Sequence, residues 1–144
     1  MRVPALALLV LAAAALPACR PVVAAGAASA AASFGTRLGE SSNLGGRIVT
    51  PLAVVEESRC PLGAQCIQAG TLRLRVRVQR GQQDEMKIVG LNSPADLGGA
   101  WLHLARACPH PSVSRPVAPA DYRLTFVLSD SAALPPAPIA CPAG

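Results

Sequence analysis

The stretch Thr71-Leu72-Arg73-Leu74-Arg75-Val76-Arg77-Val78-Gln79-Arg80 alternates aliphatic and polar side chains without a break. Successive side chains of an extended strand point to opposite sides, so Leu72, Leu74, Val76 and Val78 share one face and Arg73, Arg75, Arg77 and Gln79 the other. An apolar face backed by a charged one is the pattern of an antiparallel sheet with one side in water. Gly81-Gln82-Gln83-Asp84 reads as a hairpin turn, and Glu85 to Leu91 as the returning strand.

Working outward, Arg47 to Val55 is rich in Val and Ile on both parities and predicts a strand buried on both sides or lying centrally. Pro51 interrupts it, and because proline brings no N–H to a ladder, an edge position or a bulge is expected there. Ala100 to Ala107 and Asp121 to Ser129 complete the strands, the last with Leu124, Phe126 and Leu128 on one face. Asn92-Ser93-Pro94-Ala95-Asp96 and Pro109 to Pro119 read as loops. Short strands without a convincing helix predict an all-β fold, a small antiparallel β-sandwich or barrel of about five to seven strands.

The aromatic complement is small: Phe34, Trp101, Tyr122 and Phe126 in 144 residues, so the core rests on these and a modest set of Leu, Val and Ile. The formal net charge of +5 is compatible with anionic partners without requiring them. Of 13 cationic side chains, only Lys87 is a lysine.

Arg2, the apolar run Ala5 to Leu16, and Pro17-Ala18-Cys19 have the three-part layout of a secretory signal peptide. A run this short falls well below the ~30 Å of hydrocarbon that a spanning helix must cross. Leu16-Pro17-Ala18-Cys19 resembles a bacterial lipobox, with Pro17 departing from the usual pattern; the resemblance implies lipidation of Cys19. The alternative is cleavage within the small-residue stretch from Ala24 to Ala32. Arg20 follows where an aspartate would signal inner-membrane retention, which implies a periplasm-facing outer-membrane lipoprotein. The expected organisation is a signal peptide over 1–18, an Ala-rich tether over 19–33, a β domain over 34–130 and a Pro/Ala-rich tail over 131–144.

Setting Cys19 aside leaves Cys60, Cys66, Cys108 and Cys141, an even number that predicts two disulfides in an oxidising compartment. Three pairings are possible; Cys60–Cys66 with Cys108–Cys141 is favoured, since the first brackets a short turn and the second ties the Pro-rich tail to the body.

Glu57-Ser58-Arg59-Cys60-Pro61, then Cys66 and Ala69-Gly70, resembles a motif of uncharacterised bacterial lipoproteins and exported proteins: Asp-Ser-Arg-Cys-Pro, four spacers, Cys, any residue, Trp-Ala-Gly, and an alternating strand. Here Glu57 replaces the aspartate and Gln68 the tryptophan, and Gly39-Glu40-Ser41 looks like the family's upstream turn. The family carries no established activity. From the residues themselves, a Cys60–Cys66 bridge makes a rigid knob of Pro61 to Gln65, with Glu57 and Arg59 on one face of the chain beside it. The segment is either a stapled connection with a surface ion pair or a preorganised recognition loop formed by Glu57, Arg59, Pro61, Leu62 and Gln65, since rigidity lowers the entropic cost of binding. The cysteine spacing is wider than the C-x-x-C of thiol oxidoreductases.

Arg73, Arg75 and Arg77 form a ladder spaced by roughly 7 Å, either a solvated face or a site for the phosphates of a polyanion. His103, His110 and the cysteine thiols are the metal-binding alternative, although the offset from His103 to Cys108 puts the two on opposite faces of a regular strand and a ligating thiolate is disfavoured in an oxidising compartment. No G-x-S-x-G, H-E-x-x-H or P-loop is present, and the few aromatics argue against nucleic acid. The expectation is an exported, lipid-anchored protein of the periplasm or outer membrane that acts by binding or structure, without cofactor or catalysis, on an envelope protein or a polyanion.

Overall fold

A computed structural model describes residues 31–133 and Cys141. The signal peptide, Cys19, most of the expected tether and the proline-rich run Leu134 to Ala140 lie outside the described residues. Eight strands form: β1 (Ala31–Thr36), β2 (Ser42–Leu44), β3 (Arg47–Glu57), β4 (Leu72–Arg80), β5 (Gln83–Gly90), β6 (Ala95–Asp96), β7 (Trp101–Cys108) and β8 (Arg123–Ser129), with a single 3-10 turn at Pro119–Asp121. One four-stranded antiparallel sheet runs β1-β8-β7-β6 and the other β2-β3-β4-β5, and they pack as a β-sandwich.

The strand β4 behaves as its alternation dictates. Leu72, Leu74, Val76 and Val78 are buried and Arg73 and Arg75 exposed. The facing layer comes from Leu102, Leu104 and Ala107 of β7 and Leu124, Phe126 and Leu128 of β8. Phe126 is the largest side chain with no exposed surface. Phe34, expected in the core, is 71% exposed on the edge strand β1.

β3 is central, between β2 and β4, yet tolerates Pro51. β2 pairs only as far as Val49, and the Pro51 carbonyl accepts from Gly39 N–H (2.7 Å) on that vacated side. The N and C=O of an extended residue face the same way, so the missing N–H costs the β4 ladder nothing. A register shift follows between Pro51 and Ala53, the expected bulge.

Three short strands depart from the sequence reading. β1 begins at Ala31, so the domain starts inside the segment expected to be tether; Ala31 to Ser33 pair with β8, a long-range partner that supplies the order their composition lacks. β2 returns into β3 through Gly45-Gly46, whose φ values of 56° and 81° are those of a tight type I′ hairpin. β6, within the expected Asn92–Asp96 loop, is two residues pairing with Trp101 and Leu102.

Cys60–Cys66 and Cys108–Cys141 are both formed, with Cα separations of 5.9 and 5.6 Å. The second ties the chain's C-terminal part to the end of β7.

Candidate functional site

Beyond β3 the chain leaves the sheet at Ser58 and re-enters it at Thr71. Ser58 N–H donates to the Thr71 carbonyl (2.8 Å) and Thr71 N–H to Ser58 Oγ (3.0 Å), closing the base of an excursion over 59–70. Gly70 packs so tightly that an added Cβ would fall inside the Ser58 carbonyl group, which only glycine avoids. Ala64 N–H donates to the Pro61 carbonyl, and the Cys60–Cys66 bridge holds the turn from within.

Glu57 and Arg59 do share a face, as their spacing requires, but they are not a fully exposed ion pair: Glu57 keeps 23% of its side chain in water while Arg59 is withdrawn from it. Arg59 is 5% exposed. Its Nε and Nη2 donate to the two carboxylate oxygens of Glu57 at 2.8 and 2.6 Å, a bidentate fork. Its Nη1 donates to the Ala107 carbonyl on β7 (2.7 Å), and the Tyr122 hydroxyl donates to Glu57 Oε2 (2.8 Å). The guanidinium carbon lies 6.0 Å from the Tyr122 ring centre. Glu57 ends β3 of one sheet and Arg59 follows it, whereas Ala107 lies in β7 of the other sheet and Tyr122 immediately precedes β8. The network therefore clamps the sandwich shut at this end.

Its electrostatics follow from burial and pairing together. Burial pushes the Glu57 carboxyl up, but hydrogen bonds from Arg59 and Tyr122 and the guanidinium charge outweigh it and hold the group below its ordinary 4.5. Burial, and then the hydrogen bond to and charge of Glu57, push the Tyr122 hydroxyl up to about 12.

The clamp forms the floor of a groove of about 550 Å³. Val54 and Pro61 line one side, and Pro111, Val113, Val117 and Tyr122 the other. The walls are stitched together by Leu62 N–H to the Pro111 carbonyl (2.8 Å) and Val113 N–H to the Leu62 carbonyl (3.3 Å). At its rim Leu62 and Val113 are exposed. Gln65 is exposed on the knob, and so is Gln68, which places the position where the resembling motif has tryptophan on the surface and not in the core.

Of the expected loop residues, Pro61 lines this groove and Leu62 stands at its rim, while Arg59 and Glu57 are consumed in holding it. The sequence reading missed Tyr122 and the wall from Pro111 to Val117. Tyr122 had one signal, as the only tyrosine of the chain; the wall had none, since its pairing with Leu62 is long-range.

The residues of the metal alternative are not brought together. Cys108 and Cys141 are joined to each other, and His103 is 1% exposed with Nε2 at 3.0 Å from Ser129 Oγ and 2.9 Å from the Ser131 carbonyl. Because that carbonyl can only accept, Nε2 carries a proton, and Nδ1 is buried without a hydrogen-bond partner among the described residues. Among the described residues no group of three or more His, Cys, Asp or Glu is placed to hold a metal. Compared with family models, curated proteins and solved structures, the chain has no match.

Proposed function

We propose that the protein is an exported, non-catalytic binding module of the bacterial envelope, lipid-anchored through Cys19, whose Cys60–Cys66 loop and proline-rich wall receive an apolar segment of a partner protein. The reading rests on the groove. Leu62 and Val113 stand exposed beside a concavity whose walls are fixed by a disulfide, two cross-wall backbone hydrogen bonds and the Glu57–Arg59–Tyr122 clamp. A site fixed in advance loses little conformational entropy on binding, and apolar side chains on a rigid frame are what such a site offers. The export and anchoring parts rest on the Arg2 to Cys19 layout, and two disulfides suit an oxidising compartment. Two residues of the Glu57 to Gly70 motif, Glu57 and Arg59, are also members of the clamp.

Selection from a displayed random-peptide library against the purified protein tests this. Peptides rich in aliphatic and proline residues are expected to be enriched, and their binding to fall at least tenfold in Leu62→Asp and Val113→Asp. No enrichment, or enriched peptides indifferent to both substitutions, would reject the groove as a binding site.

A further inference from the structure

The outer face of the β2-β3-β4-β5 sheet takes no part in the groove, and its composition is unusual. Register sets Arg77 opposite Met86 and Arg75 opposite Ile88, so the β4 arginines stand directly beside β5 aliphatics. Met86 is 60% exposed and Ile88 40%. Ile48 extends the same face on β3, and Leu52 and Val55 are exposed at the two register shifts of that strand. Arg73 has Glu56 at 3.6 Å, whereas among the described residues neither Arg75 nor Arg77 has a carboxylate within salt-bridge distance.

We infer that this face docks onto an anionic phospholipid surface. Two properties select that occupant. The carboxylates of this face, Glu56 and Asp84, lie at its two ends, opposite Arg73 and Gln79, so the guanidinium groups of Arg75 and Arg77 between them are free to complement the negative headgroup layer. The aliphatic side chains between the arginines have no use for a soluble polyanion but can enter the headgroup–acyl boundary, while the long arginine stems let the charged ends stay at phosphate level. Along the ladder, which runs in steps of roughly 7 Å, Arg73 and Arg75 are exposed and Arg77 is half-buried, its Nε buried without a hydrogen-bond partner among the described residues. This assignment is independent of the groove: the two regions share no residue used in either argument.

The test is sedimentation of the full chain with vesicles of phosphatidylcholine and of phosphatidylcholine mixed with phosphatidylglycerol. The readout is the ratio of the two affinities, in which any contribution from the N-terminal apolar segment cancels. Arg75→Gln/Arg77→Gln is expected to lower that ratio about twentyfold, since each basic residue at an anionic surface is worth about fivefold. Arg37→Gln/Arg115→Gln, equal in charge and placed elsewhere on the surface, is expected to stay within about twofold of the parent protein. Met86→Gln/Ile88→Gln is expected to weaken binding to the mixed vesicles while leaving its salt dependence unchanged. Equal losses in the two arginine pairs would overturn the proposal in favour of net charge alone. Undiminished binding by Met86→Gln/Ile88→Gln would overturn it in favour of a soluble polyanion.

Discussion

Replacing Arg59 with methionine keeps the apolar stem and removes the guanidinium. Three donations disappear: two to Glu57 and one to the Ala107 carbonyl. The carboxylate keeps the Tyr122 hydroxyl and the Arg59 backbone N–H but loses its countercharge, and the carbonyl keeps only a weak contact from Cys141 Sγ at 3.7 Å. Removing the guanidinium leaves the carboxylate and the carbonyl short of donors, but the Glu57 side chain is 23% exposed and water takes up part of the loss, which is therefore about 2–3 kcal/mol. That is a large share of the ~5–15 kcal/mol that holds a small domain folded. Urea unfolding with the disulfides intact would register it as a midpoint lowered by about 1 M, taking a slope of about 2 kcal/mol per M. A double-mutant cycle with Glu57→Gln isolates the coupling. A loss below about 1 kcal/mol would mean that the guanidinium is solvated, as in an exposed pair, and would refute the clamp.

Other expectations follow from the same geometry. Since the Glu57 pKa is depressed on folding, the stability it contributes is present above 4.5 and is lost as pH falls through the folded value, so the gap between the parent and Glu57→Gln, measured by thermal melting, narrows below that pH. Gly70→Ala drives a methyl into the Ser58 carbonyl and is expected to cost about 3 kcal/mol or more, visible as a steep drop in melting temperature. Chain-entropy arithmetic gives about 4 kcal/mol for the bridge spanning 33 residues and about 2 kcal/mol for the one spanning 6, so Cys108→Ser/Cys141→Ser should destabilise more than Cys60→Ser/Cys66→Ser.

The elements legible in sequence are those whose pattern is local. The alternation of β4 is four aliphatics against three arginines and a glutamine, and no other structure buries the first set while wetting the second. Pro51 announced an edge or a bulge because it brings no N–H to a ladder. β1 was not legible, because Ala31 to Ser33 have no alternation and gain their order from β8, far along the chain. β2 and β6 are too short to carry a period, although Gly45-Gly46 is the kind of dipeptide that marks a hairpin. At the candidate site, the two-residue spacing of Glu57 and Arg59 gave their shared face. Their partners, 48 residues on at Ala107 and 65 on at Tyr122, leave no mark in that spacing, and so an internal clamp was read as a surface ion pair. His103 shows the same limit: its parity sets it opposite Leu102 and Leu104, yet it is buried, with Ser129 and Ser131 against its ring nitrogen.

The central claim is that one polar network joins the two sheets beneath the groove, and Tyr122 reports on it without labelling. As the only tyrosine of the chain, it gives an alkaline titration of phenolate absorbance that follows a single group. Its folded pKa is raised, so the stability it contributes is complete below 10.0 and is lost as pH rises through about 12. With the fold followed in parallel by circular dichroism, the account predicts a midpoint near 12 in the native protein. A native protein whose tyrosine titrates near 10.0 would place Tyr122 in water, away from Glu57, and would contradict it.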